Sequence, residues 1–213
     1  MHRDHPSFYL TFDGAPNPPG TDAVLGALNR HGIRATFFLE GHRLVDGADC
    51  ARRIVDAGHE IGNHSYSHPR LDELSVDEAL VEILRAREII LRATGVLTDQ
   101  FRPPWGRLRP AMTQAILASG HDLVLWNRSV RDWEGPDAAA IAERVLAGLS
   151  DGTIVVLHDR IPENPDVLDL VVPRILDAGY TFALTSDAPA SQAIVRRSAT
   201  SPTSPTSPQD SFL

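Results

Sequence analysis

The sequence predicts an α/β protein built on a parallel sheet, open or closed into a barrel. Three observations carry that reading. Short β-branched and aromatic runs recur along the chain, each apolar enough to be buried on both faces. Helix-patterned stretches separate them. Seven such alternations fit into about 185 residues, which leaves no room for a second core.

The strand candidates, in order, are Phe8–Phe12, Ala35–Leu39, Glu60–Asn63, Gln100–Arg102, Leu123–Trp126, Ile154–His158 and Thr181–Leu184. Thr21–Arg30 sets Val24, Leu25 and Leu28 on one helical face, and Cys50–Ala57 does the same with Ile54 and Val55. Ser75–Arg92 opens with Ser75 and Glu78, the spacing of a capping box. Pro110–Ser119, Asp137–Leu149 and Val167–Asp177 complete the helices. Gly32, Gly58, Gly120 and Gly179 stand just past helix ends, where a left-handed residue is expected. These elements define one domain over residues 1–187. From 188 to 213 the chain turns Ser/Thr/Pro-rich, with a short SPT repeat, and reads as a disordered tail.

Composition narrows the function. With 42% hydrophobic and 23% charged residues the chain is of ordinary globular make-up. A net charge of -8 argues against a nucleic-acid track or an anionic membrane surface as partner. Apolar runs fall far short of the ~20 residues a membrane helix needs. Cys50 is the only cysteine, so no internal disulfide can form. That lone thiol, and an N-terminus without a signal-like apolar segment, give cytoplasmic as the expected location.

Polar residues fall where strands end. Asp13 follows the first strand, His64 and His68 the third, and Arg102 closes the fourth. Asp132 lies beyond the fifth and His158 closes the sixth. In a parallel barrel those ends converge on one face, so the set reads as a site. In HSYSH, two imidazoles four residues apart can meet one metal, or be a pair of solvated loop histidines. In RPPWG, Pro103 and Pro104 stiffen a loop that aims Arg102 and Trp105. Arg102 can orient a carboxylate, and Trp105 can wall a pocket or be a core tryptophan. Asp132 can fix the tautomer of His158 and suit it to general-acid work, or simply cap the helix starting near Asp137.

Taken together, YLTFDGAPNPPGTDAVLGAL, RATFFLEG, GHEIGNHSYSHPRL, FRPPWG, RDWEGPDAAAIAERVL and IVVLHD resemble the polysaccharide deacetylase family, the NodB-type carbohydrate esterases, from about Phe8 to Leu184. The resemblance implies a distorted (β/α)7 barrel that uses a divalent metal, usually zinc, to hydrolyse the N-acetyl group of an amino sugar. It makes Asp13 the catalytic base, Arg102 its orienting partner, His158 the acid and Asp132 the carboxylate behind it. His64 and His68 become metal ligands, and Pro104, Trp105, Trp133 and Val156 pocket residues.

The resemblance breaks at the first motif. Where the family reads Thr-Phe-Asp-Asp-Gly-Pro, this chain reads Thr11-Phe12-Asp13-Gly14-Ala15-Pro16, so Gly14 replaces the acidic third ligand. A shifted alignment would instead make Asp13 the ligand and remove the base. Ser129 replaces a common acidic residue, and Val156 stands where Leu is usual. Glu40, at a position that is usually apolar, is either a substitute ligand or a solvated loop glutamate. The expected function is metal-assisted amide hydrolysis, an N-deacetylation of an acetylated amino sugar or a small acylated metabolite. A non-hydrolytic epimerase or cyclase, or a catalytically degenerate ligand-binding homologue, are the alternatives.

Overall fold

In the computed structural model, which describes residues 5–191 and 193–197, the first strand lies at the centre of the sheet. This is β1, Ser7–Ala15, every residue of which is buried. It is followed by α1 (Gly20–His31), β2 (Thr36–Leu39), α2 (Leu44–Asp56), β3 (Glu60–Asn63) and α3 (Val76–Thr94). Then come β4 (Gln100–Phe101), α4 (Pro110–Ala118), β5 (Asp122–Val124), β6 (Arg128–Ser129), α5 (Ala138–Leu146), β7 (Thr153–His158), α6 (Asn164–Asp177), β8 (Thr181–Ala183) and β9 (Ile194–Val195). The hydrogen-bonded order is β6-β7-β1-β2-β3-β4-β5-β9, with β8 also on β1. Every pairing is parallel except β5 with β9.

Alternation along β1 explains how the sheet is covered. Phe8, Leu10 and Phe12 face outward and pack with Phe37, Leu39, Val155 and Leu157 against apolar residues of α1, α2, α5 and α6. Burying each such side chain contributes about 1.5–3 kcal/mol. Tyr9 faces inward with Phe38, Val124, Ile154 and Ile194, filling the interior of a distorted barrel. Next above Tyr9 on that inner face stand Thr11 and Asp13. The polar end of the strand is therefore laid directly over an apolar plug.

Two expectations need correcting. Among the described residues the sheet has nine strands where seven were expected, because β6 and β9 are two-residue pairings too short to leave a periodic signature. The tail does not begin at 188. Ala188, Ala193 and Ile194 are buried in the barrel interior, and Arg196 donates to Asp122 at 2.8 Å and to the carbonyl of Ala188 at 2.7 Å. A polar-looking segment thus carries just enough apolar surface to close the barrel. The remainder of the expected tail, 198–213, lies outside the described residues. The helix caps came out as expected: Ser75 and Glu78 form the reciprocal box, and the four helix-end glycines have positive φ.

Candidate active site

Strand register brings the first pair together. Asp13 on β1 stands opposite His158 on β7, and both lie at the strand ends. The Arg102 backbone N–H donates to the carbonyl of Asn63, and the His64 N–H to that of Leu39. The ends of β1, β2, β3, β4 and β7 therefore present their polar residues to one mouth.

Arg102 is fully buried. Its Nη1 donates to Asp13 Oδ1 and to Thr11 Oγ1, both at 2.7 Å, while Nε and Nη2 donate to the carbonyls of Val124 and Leu125. The guanidinium also lies over the Phe38 ring, 4.0 Å from its centroid. A charge taken out of water persists when paired and hydrogen-bonded in this way. Burial pushes the Asp13 carboxyl up. The charges of Arg102, His64 and His158 outweigh that and hold it below the usual carboxylate range. Asp13 is thus anionic and oriented.

The HSYSH loop is folded by its own small polar residues. Asn63 Oδ1 accepts from the Ser65 N–H at 2.9 Å, and Ser65 Oγ accepts from the His68 N–H at 3.1 Å. Ser65 and His68 both adopt left-handed backbone, with φ of 68° and 58°. Such conformations are costly outside glycine and mark a loop that its surroundings dictate. The outcome is two imidazoles 5.0 Å apart between centroids. His64 Nδ1 is engaged by the carbonyl of Arg102 at 2.8 Å, which leaves Nε2 facing Asp13 Oδ2 at 3.8 Å. Burial lowers the pKa of His64 against the opposing pull of Asp13. It also lowers that of His68, where the charge of His64 adds to it. Both rings are neutral near pH 7, the form that binds a metal.

Opposite them, the His158 ring nitrogen Nδ1 lies 2.9 Å from Asp132 Oδ1. Asp132 is buried and does not cap α5, whose cap is Asp137. Trp133 meets the His158 ring edge-on at 5.3 Å, as Trp105 meets His68 at 5.4 Å. These two tryptophans are 46% and 60% exposed, so they rim the mouth and are not core residues. Pro104 is buried behind Trp105, and Val156 lies buried on the inner face of β7 below His158. Neither is placed at the opening.

Gly14 forms a bulge between Asp13 and Ala15, at φ 85°. Glu40 is not a solvated loop glutamate. It is 3% exposed, and its Oε2 accepts from Arg43 Nε at 2.7 Å. Two neutral imidazoles beside carboxylates have the donor chemistry that suits a divalent cation. Even so, among the described residues no three His, Cys, Asp or Glu side chains are spaced to hold one.

Several positioning residues were not singled out from the sequence. Asn164 donates to Asp132 Oδ2 at 2.8 Å and to the carbonyl of His158 at 2.7 Å. Asn63, Ser65, Thr11 and Asn17 act likewise. Only their adjacency to the charged motifs signals them.

Comparison with known proteins gives the family and the fold. A family model described as polysaccharide deacetylase matches residues 2–124. Peptidoglycan-N-acetylglucosamine deacetylase PgdA of Listeria monocytogenes is 32% identical over 173 residues, 81% of this chain and 36% of that protein. The chain thus spans about a third of that relative's length. Chitooligosaccharide deacetylase of Sinorhizobium fredii is 37% identical over 189 residues, 82% of this chain and 88% of that one. The structure of peptidoglycan deacetylase PdaC from Bacillus subtilis superposes with a TM-score of 0.80 at 32% identity, covering 86% of this chain and 89% of the other. The chain belongs to the polysaccharide deacetylase family.

Proposed function

We propose that the protein hydrolyses the amide of an N-acetylated amino sugar or a small acylated metabolite, releasing acetate and a free amine. The observation that carries this reading is two differently held proton carriers at paired positions of adjacent strands. Asp13 is kept ionised and aimed by Arg102, and His158 is held by Asp132. A divalent ion, zinc by preference, would be held by His64 and His68, and when bound would polarise the acyl oxygen and acidify a water.

Asp13 accepts a proton from the attacking water, whose oxygen bonds to the acyl carbon. The C–N bond then breaks as His158 gives the proton on Nε2 to the departing nitrogen. Acetate leaves with the water oxygen, and the amine leaves with the proton. Asp132 accepts the Nδ1 proton of His158, which fixes Nε2 as the atom that faces substrate. Trp105 and Trp133 offer exposed aromatic faces to a sugar ring on either side of the mouth. PgdA is named for the N-acetylglucosamine of peptidoglycan and the Sinorhizobium relative for chitooligosaccharide, both as deacetylases, which supports a sugar substrate here.

Acetate release from N-acetylglucosamine oligomers and from small acetamides, with added zinc and after chelation, tests the proposal. Release that chelation abolishes and zinc restores is expected, with His158→Ala inactive. Absence of acetate under every metal, with oligosaccharide binding retained, would overturn hydrolysis in favour of a sugar-binding role.

A further inference from the structure

We propose that Arg160 binds a carboxylate carried by the substrate, so that the site selects N-acyl compounds that are themselves acids. This rests on the deacetylation reading above and narrows its substrate class.

Placement gives the first argument. Arg160 stands two residues beyond His158, in the turn that leaves β7. That turn is pinned. The His158 carbonyl accepts from the Ile161 N–H at 3.2 Å and from Asn164 Nδ2 at 2.7 Å. Asp159 is fully buried, with Oδ1 accepting from Asn17 Nδ2 at 2.6 Å and Oδ2 from Thr21 Oγ1 at 2.5 Å. Gly20 packs so closely that a Cβ there would collide with the Asp159 carbonyl. Asn17 Nδ2 also donates to the carbonyl of Gly14 at 2.7 Å, which ties the turn to the bulge beside Asp13. The Arg160 backbone is therefore fixed, while the residue itself is exposed. Its guanidinium leans over the bulge, with Nη1 3.5 Å from where a Cβ at Gly14 would stand.

Charge is the second argument. Among the described residues Arg160 takes part in no ion pair, although carboxylates surround the mouth. Each of them is already engaged: Asp13 by Arg102, Glu40 by Arg43, Asp132 by His158, and Asp159 by Asn17 and Thr21. A carboxylate at position 14, one C–C bond beyond that Cβ, would lie within reach of Nη1 and neutralise it. Glycine leaves the guanidinium unpaired. A guanidinium presents a planar fork of N–H donors that fits a carboxylate through two parallel bonds. At a net charge of -8 the field of the whole chain repels anions, so this attraction acts at contact.

The position of the charge sets the shape of the substrate. With the acyl group between Asp13 and His158, and a ring against Trp105 or Trp133, the acid would point along the β1 side of the mouth toward Gly14. Two sources share this chemistry. One is an amino sugar with an acidic substituent, and the other is an N-acetylated amino acid.

Steady-state acetate release from two matched pairs tests the proposal. N-acetylmuramic acid differs from N-acetylglucosamine by a carboxylate-bearing ether, and N-acetylalanine differs from its amide by the acid's charge. The pair in which wild type favours the acid identifies the source. In Arg160→Gln the acid-to-neutral ratio of kcat/KM is expected to fall about five- to fiftyfold, mainly through KM, with Arg160→Lys retaining part of it. Indifference of wild type to the charge in both pairs overturns the proposal. So does a ratio within twofold of wild type in Arg160→Gln, including the case where acid and neutral partner slow equally. Titration calorimetry with the same compounds separates the two readings. Tighter binding of the acid, lost in Arg160→Gln, with no acetate released by wild type, keeps the anion site and removes deacetylation. Acetate release with a ratio untouched in Arg160→Gln does the reverse.

Discussion

The carboxylate of Asp132 accepts from the backbone N–H of His158 at 2.8 Å and from its ring Nδ1 at 2.9 Å. Asn164 completes the cradle by donating to Asp132 Oδ2 at 2.8 Å. His158 is therefore fixed at main chain and side chain by one residue. Asp132→Asn keeps the shape but removes the charge that stabilises an imidazolium. We expect kcat to fall by about 10²–10⁴ with KM changed less than threefold. A kcat within threefold of wild type would show that His158 does not need this carboxylate.

Arg102 touches Asp13, Thr11, Val124 and Leu125 from a fully buried position. Arg102→Met leaves Asp13 buried with its main counter-charge gone, a change that costs about 3–5 kcal/mol in such pairs. Arg102→Lys keeps the charge but cannot span four acceptors with one ammonium. Urea unfolding should rank wild type above Lys and Lys above Met. Equal midpoints for all three would mean that the pair contributes nothing net.

Most of the fold was legible because its signals are local. Phe8–Phe12, Glu60–Asn63 and Ile154–His158 read as strands since both of their faces are buried and apolar, apart from the polar ends that make the site. Asp13, Arg102, Asp132 and His158 were legible because each falls at or just beyond the end of a strand. What escaped was long-range. Ile194 belongs to the barrel through contacts with Tyr9 and Phe38 far away in sequence, so no window around it announces a strand. Glu40 looked like a loop residue because burial of a carboxylate depends on Arg43 and Asn17 folding around it. The HSYSH spacing showed that two imidazoles can meet, but not that Ser65 and Asn63 make them do so.

The C-terminal closure is itself testable. Ile194 is buried with Tyr9, Phe38, Val124 and Ile154 directly beneath the site. Ile194→Ala should cost about 2–4 kcal/mol. Ending the chain after Asp187 should cost more, since it also removes Arg196 from Asp122 and from three carbonyls. Thermal unfolding checks both. A truncated protein melting within two degrees of wild type would demote the segment to a surface appendage.

Acid should unfold the protein from a higher pH than its carboxylates alone would dictate. Burial lowers the pKa of His59 to about 4, with Arg34 adding to it, and that of His121 to about 4, with Arg87 and Arg197 adding. His64 and His68 shift the same way. In the unfolded chain these groups take up protons near pH 6.5, which the native state declines. Their contribution is thus fully present above about pH 6.5 and is lost as pH falls toward 4, at up to about 3 kcal/mol for each of His59 and His121. Asp13, depressed in the fold, extends the loss to lower pH. Asp159, raised by burial, works against it in the carboxylate range. His121→Phe removes a ring whose Nε2 has no hydrogen-bond partner among the described residues and whose Nδ1 lies 2.9 Å from Ser119 Oγ. Denaturant titrations at pH 7 and pH 5 should show the wild type losing more stability on acidification than this variant. An equal loss in both would place the acid sensitivity elsewhere.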